Sequence, residues 1–145
     1  AGEGPYLPEL KRLAEGSKTP IKFWGWLDKN DPRFYELFNT SAIFIFPSEA
    51  DNFPTVLLEA MSAGMAIITS TAGGCPEVVG KAGLLVGPRD TEGIRKMLVK
   101  LVDSDQLRKQ LGKQALERAW QFNWENIAQQ YLNCYSQILN TAAGN

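Results

Sequence analysis

Three observations predict an α/β fold: a parallel sheet with helices on both faces, followed by a helical final third. Short apolar runs alternate with helix-like segments along the first ninety residues, as in chains that build a parallel sheet. The run Ala42–Phe46 is apolar at every position, the pattern of a strand buried on both sides. Beyond residue 90 the apolar residues recur only with helical spacing. A length of 145 residues suits one domain with a workable core, so residues 1–145 are read as a single domain.

The elements follow in order. Gly2-Glu3-Gly4-Pro5 is turn material, and a short amphipathic helix on Leu7, Leu10 and Leu13 comes next. Ile21–Trp26 reads as a short strand ended by Gly25, and Asp31 then caps a helix with Pro32 at its first position. The strand Ala42–Phe46 stops at Pro47-Ser48. A helix from Pro54 to Ala63 ends at Gly64, and the strand Ala66–Ser70 follows. Cys75–Gly80 reads as a helical turn and Gly83–Gly87 as a further strand.

Ile94, Met97, Leu98, Leu101 and Val102 then form one stripe, and Leu107, Leu111 and Ala115 mark a helix over 105–119. After Asn123 a last helix carries Trp124, Ile127, Tyr131, Leu132, Tyr135, Ile138 and Leu139 on one face. Trp124, Tyr131 and Tyr135 are expected to pack inward. That face must cover the sheet or rest on a neighbour outside this chain.

Composition narrows the chemistry. Fifteen basic and sixteen acidic residues give a net charge of −1, so nothing marks a nucleic-acid surface. There is no histidine, which removes histidine-dependent triads, histidine metal sites and imidazole acid–base catalysis. Cys75 and Cys134 are unpatterned, pointing to a reducing, cytoplasmic setting rather than a disulfide framework or zinc site. No apolar run approaches the roughly 20 residues of a membrane span, and no signal peptide is visible. The chain opens at Ala1 inside a turn, which reads as a piece of something longer.

The densest information lies in Phe46–Gly74: a strand end, a polar loop with Asp51, a helix containing Glu59, and a second strand closed by Gly73-Gly74. Ligands bind at the carboxyl ends of parallel strands, and a helix N-terminus there favours phosphate. Taken singly, the residues are bland. Thr55, Glu59 and Ser62 share one helix side that could simply face solvent, opposite Val56, Leu57, Ala60 and Gly64. Asp51-Asn52 could be an ordinary loop pair, Pro54 a helix starter, and Gly73-Gly74 a turn.

Together they are specific. Pro47-Ser48, Asp51, Phe53, Leu58-Glu59-Ala60-Met61 and Gly64, followed by an apolar strand and Gly73-Gly74 with Glu77, strongly resemble the donor-binding domain of family 4 retaining glycosyltransferases. These have the GT-B fold, so the resemblance implies its Rossmann-like C-terminal half, truncated at the N-terminal edge. The family's pair of acids with seven residues between them falls on Asp51 and Glu59, with Glu49 out of register. Gly2–Pro5, Ile21–Leu27 and the final segment from Phe122 match the family's order of elements, so the resemblance covers nearly the whole chain.

The resemblance implies that Asp51 and Glu59 are the catalytic-site acids, Glu59 accepting hydrogen bonds from the ribose hydroxyls. Thr55 and Val56 would offer backbone N–H groups to the diphosphate. Asp51, Asn52, Phe53 and Pro54 would line the donor sugar, and Gly25, Trp26 and Leu27 would flank the base. It implies a UDP-sugar donor, no metal and no other cofactor, and a partner domain for the acceptor that this chain lacks. The resemblance also allows peripheral attachment of the parent enzyme to the inner face of a membrane.

Two departures from the family pattern stand out. The first acid is aspartate, and Asn52-Phe53-Pro54 replaces the usual Gly-Phe-Gly. The family's phosphate-binding basic pair falls upstream of Gly2, and Lys81 and Arg89 do not match it. A non-catalytic nucleotide-sugar binding module is the alternative. A dinucleotide oxidoreductase is disfavoured because no G-x-G-x-x-G follows a strand.

Overall fold

The computed structural model describes residues 1–143, which divide into two compact units, Ala1–Thr40 and the part from Ser41 onward. The first unit holds helices α1 (Leu7–Ala14) and α2 (Pro32–Thr40). α2 starts as its sequence dictates: the Asp31 carboxylate accepts from the Arg33 N–H at 2.9 Å, and Pro32, which has no N–H to satisfy, takes the first helical position. The strand expected over Ile21–Trp26 is not formed. A strand exists through its ladder to a neighbour, and among the described residues this segment makes none. Gly25 also leaves the extended region, with φ +66°, and its carbonyl accepts from the Gly2 N–H at 2.6 Å.

The second unit is built on three parallel strands, β1 (Ile43–Phe46), β2 (Ala66–Ser70) and β3 (Gly83–Val86), in the order β1-β2-β3. Helix α3 (Thr55–Ser62) connects β1 to β2, and α4 (Cys75–Val79) connects β2 to β3. Phe44 pairs with Ile67 and Ile68 with Leu84, which brings the three carboxyl ends to one side of the sheet. Every residue of β2 is buried. Successive side chains of a strand point to opposite faces, so both faces of β2 are covered.

β1 departs from expectation. It forms an edge of the sheet and is half-buried, with Ile45 exposed. An apolar run states that a strand tolerates burial, not that neighbours exist on both sides to supply it.

Helices α5 (Thr91–Val102) and α6 (Asp105–Ala119) complete the packing. Their starts are fixed by side-chain caps: Asp90 accepts from the Gly93 N–H at 2.8 Å and Ser104 from the Leu107 N–H at 3.2 Å. Leu101 of α5 and Leu111 of α6 join Ala66, Ile68 and Val86 in one buried cluster, flanked by Ile94, Met97, Leu98 and Leu107. Val102, at the end of the α5 stripe, is exposed.

A 3-10 turn, Trp120–Phe122, leads into α7 (Trp124–Ala143). Here the expected packing fails. Trp124 is 83% exposed, Tyr131 60% and Tyr135 57%, and from Trp124 to Thr141 only Ile127 is even half-buried. Periodicity reveals an apolar face but not what covers it. Among the described residues, no helix is long and apolar enough to cross a membrane.

Candidate functional site

The loop 47–54 leaves the carboxyl end of β1 and runs into α3, so its position follows from the sheet. Its conformation follows from short-range bonds. The Asp51 carboxylate accepts from the Phe53 N–H at 3.1 Å, an Asx-type turn that lets one short side chain organise the two residues after it. The Asp51 carbonyl accepts from the Gly74 N–H at 2.8 Å, which ties the loop to the turn after β2. A Cβ on Gly73 would lie 2.5 Å from the Asp51 carbonyl oxygen, and one on Gly74 would overlap the Asn52 carbonyl. Only a backbone without side chains can run this close. The reading of Gly73-Gly74 as a plain turn missed what the glycines approach, which is the acidic loop.

The neighbouring turn is equally determined. Thr69 Oγ1 donates to the Phe46 carbonyl at 2.7 Å, where β1 gives way to the loop, and the Ser70 hydroxyl accepts from the Ala72 N–H at 3.1 Å. Both side chains are fully buried, and these bonds satisfy them.

α3 then begins at Pro54, which is buried, has no N–H and places no capping side chain on the helix. The first N–H groups of a helix have no intrahelical acceptor. That of Leu57 bonds the Pro54 carbonyl at 3.0 Å, while those of Thr55 and Val56 head the helix with no side-chain cap. Leu57, Ala60 and Met61 are buried and anchor α3; Thr55 and Ser62 are exposed and Glu59 is half-buried. Asp51, Asn52, Phe53, Pro54, Thr55, Val56 and Glu59 thus share one strand–loop–helix unit.

Gly25, Trp26 and Leu27 lie in the unit Ala1–Thr40. There the Trp26 N–H donates to the Glu3 carboxylate at 3.4 Å, and the Lys22 ammonium sits 3.5 Å from the Trp24 ring centroid. A cleft of about 490 Å³ in that unit is lined by Glu3, Tyr6, Leu10, Lys22, Phe23 and Trp24 among others; Gly25, Trp26 and Leu27 do not line it.

One charge pair near the loop gave no signal in the sequence. Arg89, beyond the end of β3, forks onto Glu49 with bonds of 2.7 and 2.9 Å, so an acid out of register with the motif fixes a cation from another loop. The hydrogen bonds from Arg89, and then its charge, hold the Glu49 carboxyl below its usual range. A depressed carboxyl pKa adds stability above the ordinary value of 4.5, and that stability is lost as pH falls through the lowered one. The side chains are 83% and 53% exposed, so the effect is small. Arg89→Ala should melt slightly below the parent at pH 6. The gap should close at acid pH and shrink in high salt, as differential scanning fluorimetry would register.

Comparison with known proteins gives the family and the fold. The family Glycosyl transferases group 1 matches residues 1–104, and the chain belongs to it. N-acetyl-alpha-D-glucosaminyl L-malate synthase of Bacillus anthracis is 36% identical over 141 residues, covering 95% of this chain and 36% of that protein. Sulfoquinovosyl transferase SQD2 of Arabidopsis thaliana is 32% identical over 128 residues, covering 85% of this chain and 24% of that protein. The crystal structure of HepE from Anabaena, in complex with UDP, superposes with a TM-score of 0.77 at 23% identity, covering 91% of this chain and 37% of that one. The fold is that of the C-terminal domains of GT-B glycosyltransferases. The chain spans only about a quarter to a third of the length of these relatives.

Proposed function

We propose that this chain is the nucleotide-sugar-binding domain of a retaining glycosyltransferase. The whole enzyme would move a sugar from a nucleotide diphosphate, UDP above all, to a glycan or lipid-linked acceptor. One observation carries the reading: the loop 51–54, fastened to Gly74, delivers the chain into a helix whose Thr55 and Val56 N–H groups have no side-chain cap, with Glu59 one turn further on. Backbone N–H groups at a helix start suit a diphosphate. They also stabilise the negative charge that grows on the leaving diphosphate as the glycosidic bond breaks, because they are fixed before the reaction begins. Glu59 suits a ribose diol, whose two hydroxyls can donate to one carboxylate. Asp51, Asn52 and Phe53 then reach the sugar beyond the phosphates. Gly25, Trp26 and Leu27 are assigned to the base, through their backbone groups.

In this scheme the helix start does the work that a divalent cation does in other donor sites. Calorimetric titration with UDP, UDP-glucose and GDP-mannose, with and without EDTA, tests it. We expect UDP binding with Kd on the order of 10 µM to 1 mM, about −7 to −4 kcal/mol, unchanged by EDTA. A strict requirement for Mg²⁺ or Mn²⁺ would overturn the metal-independent design. No affinity for any of the three nucleotides would overturn the donor-site reading.

A further inference from the structure

The 3-10 turn between α6 and α7 lies nearly seventy residues beyond the acidic loop in sequence, yet Phe122 meets Phe53 edge-on, with ring centroids 5.9 Å apart and planes at 60°. Phe53 is 45% exposed and stands near the end of the loop, just before Pro54, where the ring of Phe122 restrains its side chain. Phe122 is in turn held by Arg118, whose guanidinium carbon lies 5.2 Å from its ring centroid.

Arg118 is itself fixed. Its Nη2 donates to the Glu77 carbonyl at 2.7 Å, its Nε to the Val78 carbonyl at 3.1 Å, and its Nη1 to Gln121 Oε1 at 2.9 Å. The first two acceptors are carbonyls in the last turn of α4, which that helix cannot satisfy internally. At its other end α4 starts from Gly74, whose N–H holds the Asp51 carbonyl. The two routes therefore converge on the same loop. One passes from Arg118 through α4 and Gly74 to the Asp51 backbone. The other passes from Arg118 through Phe122 to Phe53, whose N–H fixes the Asp51 carboxylate.

We propose that Phe122, braced by Arg118, is a positioning residue that sets the orientation of Asp51 through the ring of Phe53. Its bearing on sugar recognition rests on the donor-site reading above; its grip on the loop does not. Phe122 acts through its neighbour, so its removal should be felt in the loop and at the sugar, not at the nucleotide.

The test compares the parent chain with Phe122→Ala and Phe122→Tyr, the second keeping the ring. Amide hydrogen exchange by NMR reads the loop without any ligand. In Phe122→Ala the Phe53 N–H should exchange at least about tenfold faster, with β2 and α3 amides unchanged, and Phe122→Tyr should restore protection. Unchanged Phe53 exchange, or an equal acceleration throughout the unit, would overturn the proposal.

Calorimetry then takes whichever of UDP-glucose, UDP-N-acetylglucosamine and GDP-mannose the parent binds best, beside its parent diphosphate. Phe122→Ala should weaken the sugar nucleotide about fivefold or more and the diphosphate less than twofold. Equal weakening of both would overturn the proposed action on Asp51. If the parent chain binds none of these ligands, the donor-site reading falls, while the exchange data still decide whether Phe122 holds the loop.

Discussion

Gly74→Ala is expected to destabilise the chain by roughly 2–4 kcal/mol and to release the acidic loop. Gly74 has φ −82°, a value open to any residue, so its requirement for glycine is one of space. An added Cβ would overlap the Asn52 carbonyl oxygen, and that atom belongs to a backbone that cannot rotate away as a side-chain tip would. The loop must shift, and the 2.8 Å bond from the Gly74 N–H to the Asp51 carbonyl lengthens or breaks. Overpacking of this kind costs about 1–3 kcal/mol and a lost hydrogen bond about 1.

Gly64→Asn is the control. Gly64 has φ +70°, which asparagine tolerates, and nothing lies within 4 Å of its added Cβ. Urea denaturation should therefore leave Gly64→Asn close to the parent and move Gly74→Ala well below it. Coincident curves for Gly74→Ala and the parent would show that the loop yields without cost and that its close approach to the turn is incidental.

The same residue shows where sequence reasoning stops. Strand–loop–helix order, the α5 stripe and the cap at Asp31 were legible because each rests on neighbours a few positions away. The pairing of Gly74 with Asp51 spans more than twenty residues, and nothing in a glycine states which carbonyl it approaches. The same holds for the contacts of Phe122 with Phe53 and Arg89 with Glu49, each about forty residues apart or more.

The strand over Ile21–Trp26 and the inward packing of α7 failed for a related reason. Apolar composition gives a segment the capacity to pair or to be buried. Whether it does so depends on a ladder partner or a covering surface that lies elsewhere. Trp124 and Tyr131 carry helical spacing and stay exposed because this second unit supplies no such surface along α7. The local geometry of the candidate site was more legible than the packing. Its acids sit on one continuous loop and helix, where spacing along the chain nearly fixes spacing in space.

Glu59→Ala and Asp51→Ala should separate two functions that the motif merges. Glu59 lies on α3 and is assigned to the ribose, which a nucleoside diphosphate and its sugar conjugate share; its removal should weaken both by roughly 1.5–3 kcal/mol, the range for a lost hydrogen bond to a charged group. Asp51 lies in the loop before the helix and is assigned to the sugar alone. Asp51→Ala should leave UDP nearly untouched and remove the extra affinity or orientation the sugar provides.

The geometry adds a complication that can be tested. The Asp51 carboxylate already accepts from the Phe53 N–H at 3.1 Å, so alanine would also loosen the loop. Asp51→Asn keeps an oxygen for that bond and removes the charge, which isolates the sugar contact. Asp51→Glu adds a methylene and should shift preference among sugars rather than abolish it. Calorimetry of the four variants with UDP and with the preferred UDP-sugar decides between the roles. If Asp51→Ala loses UDP and UDP-sugar equally while Asp51→Asn loses neither, Asp51 organises the loop and the sugar is read by other residues.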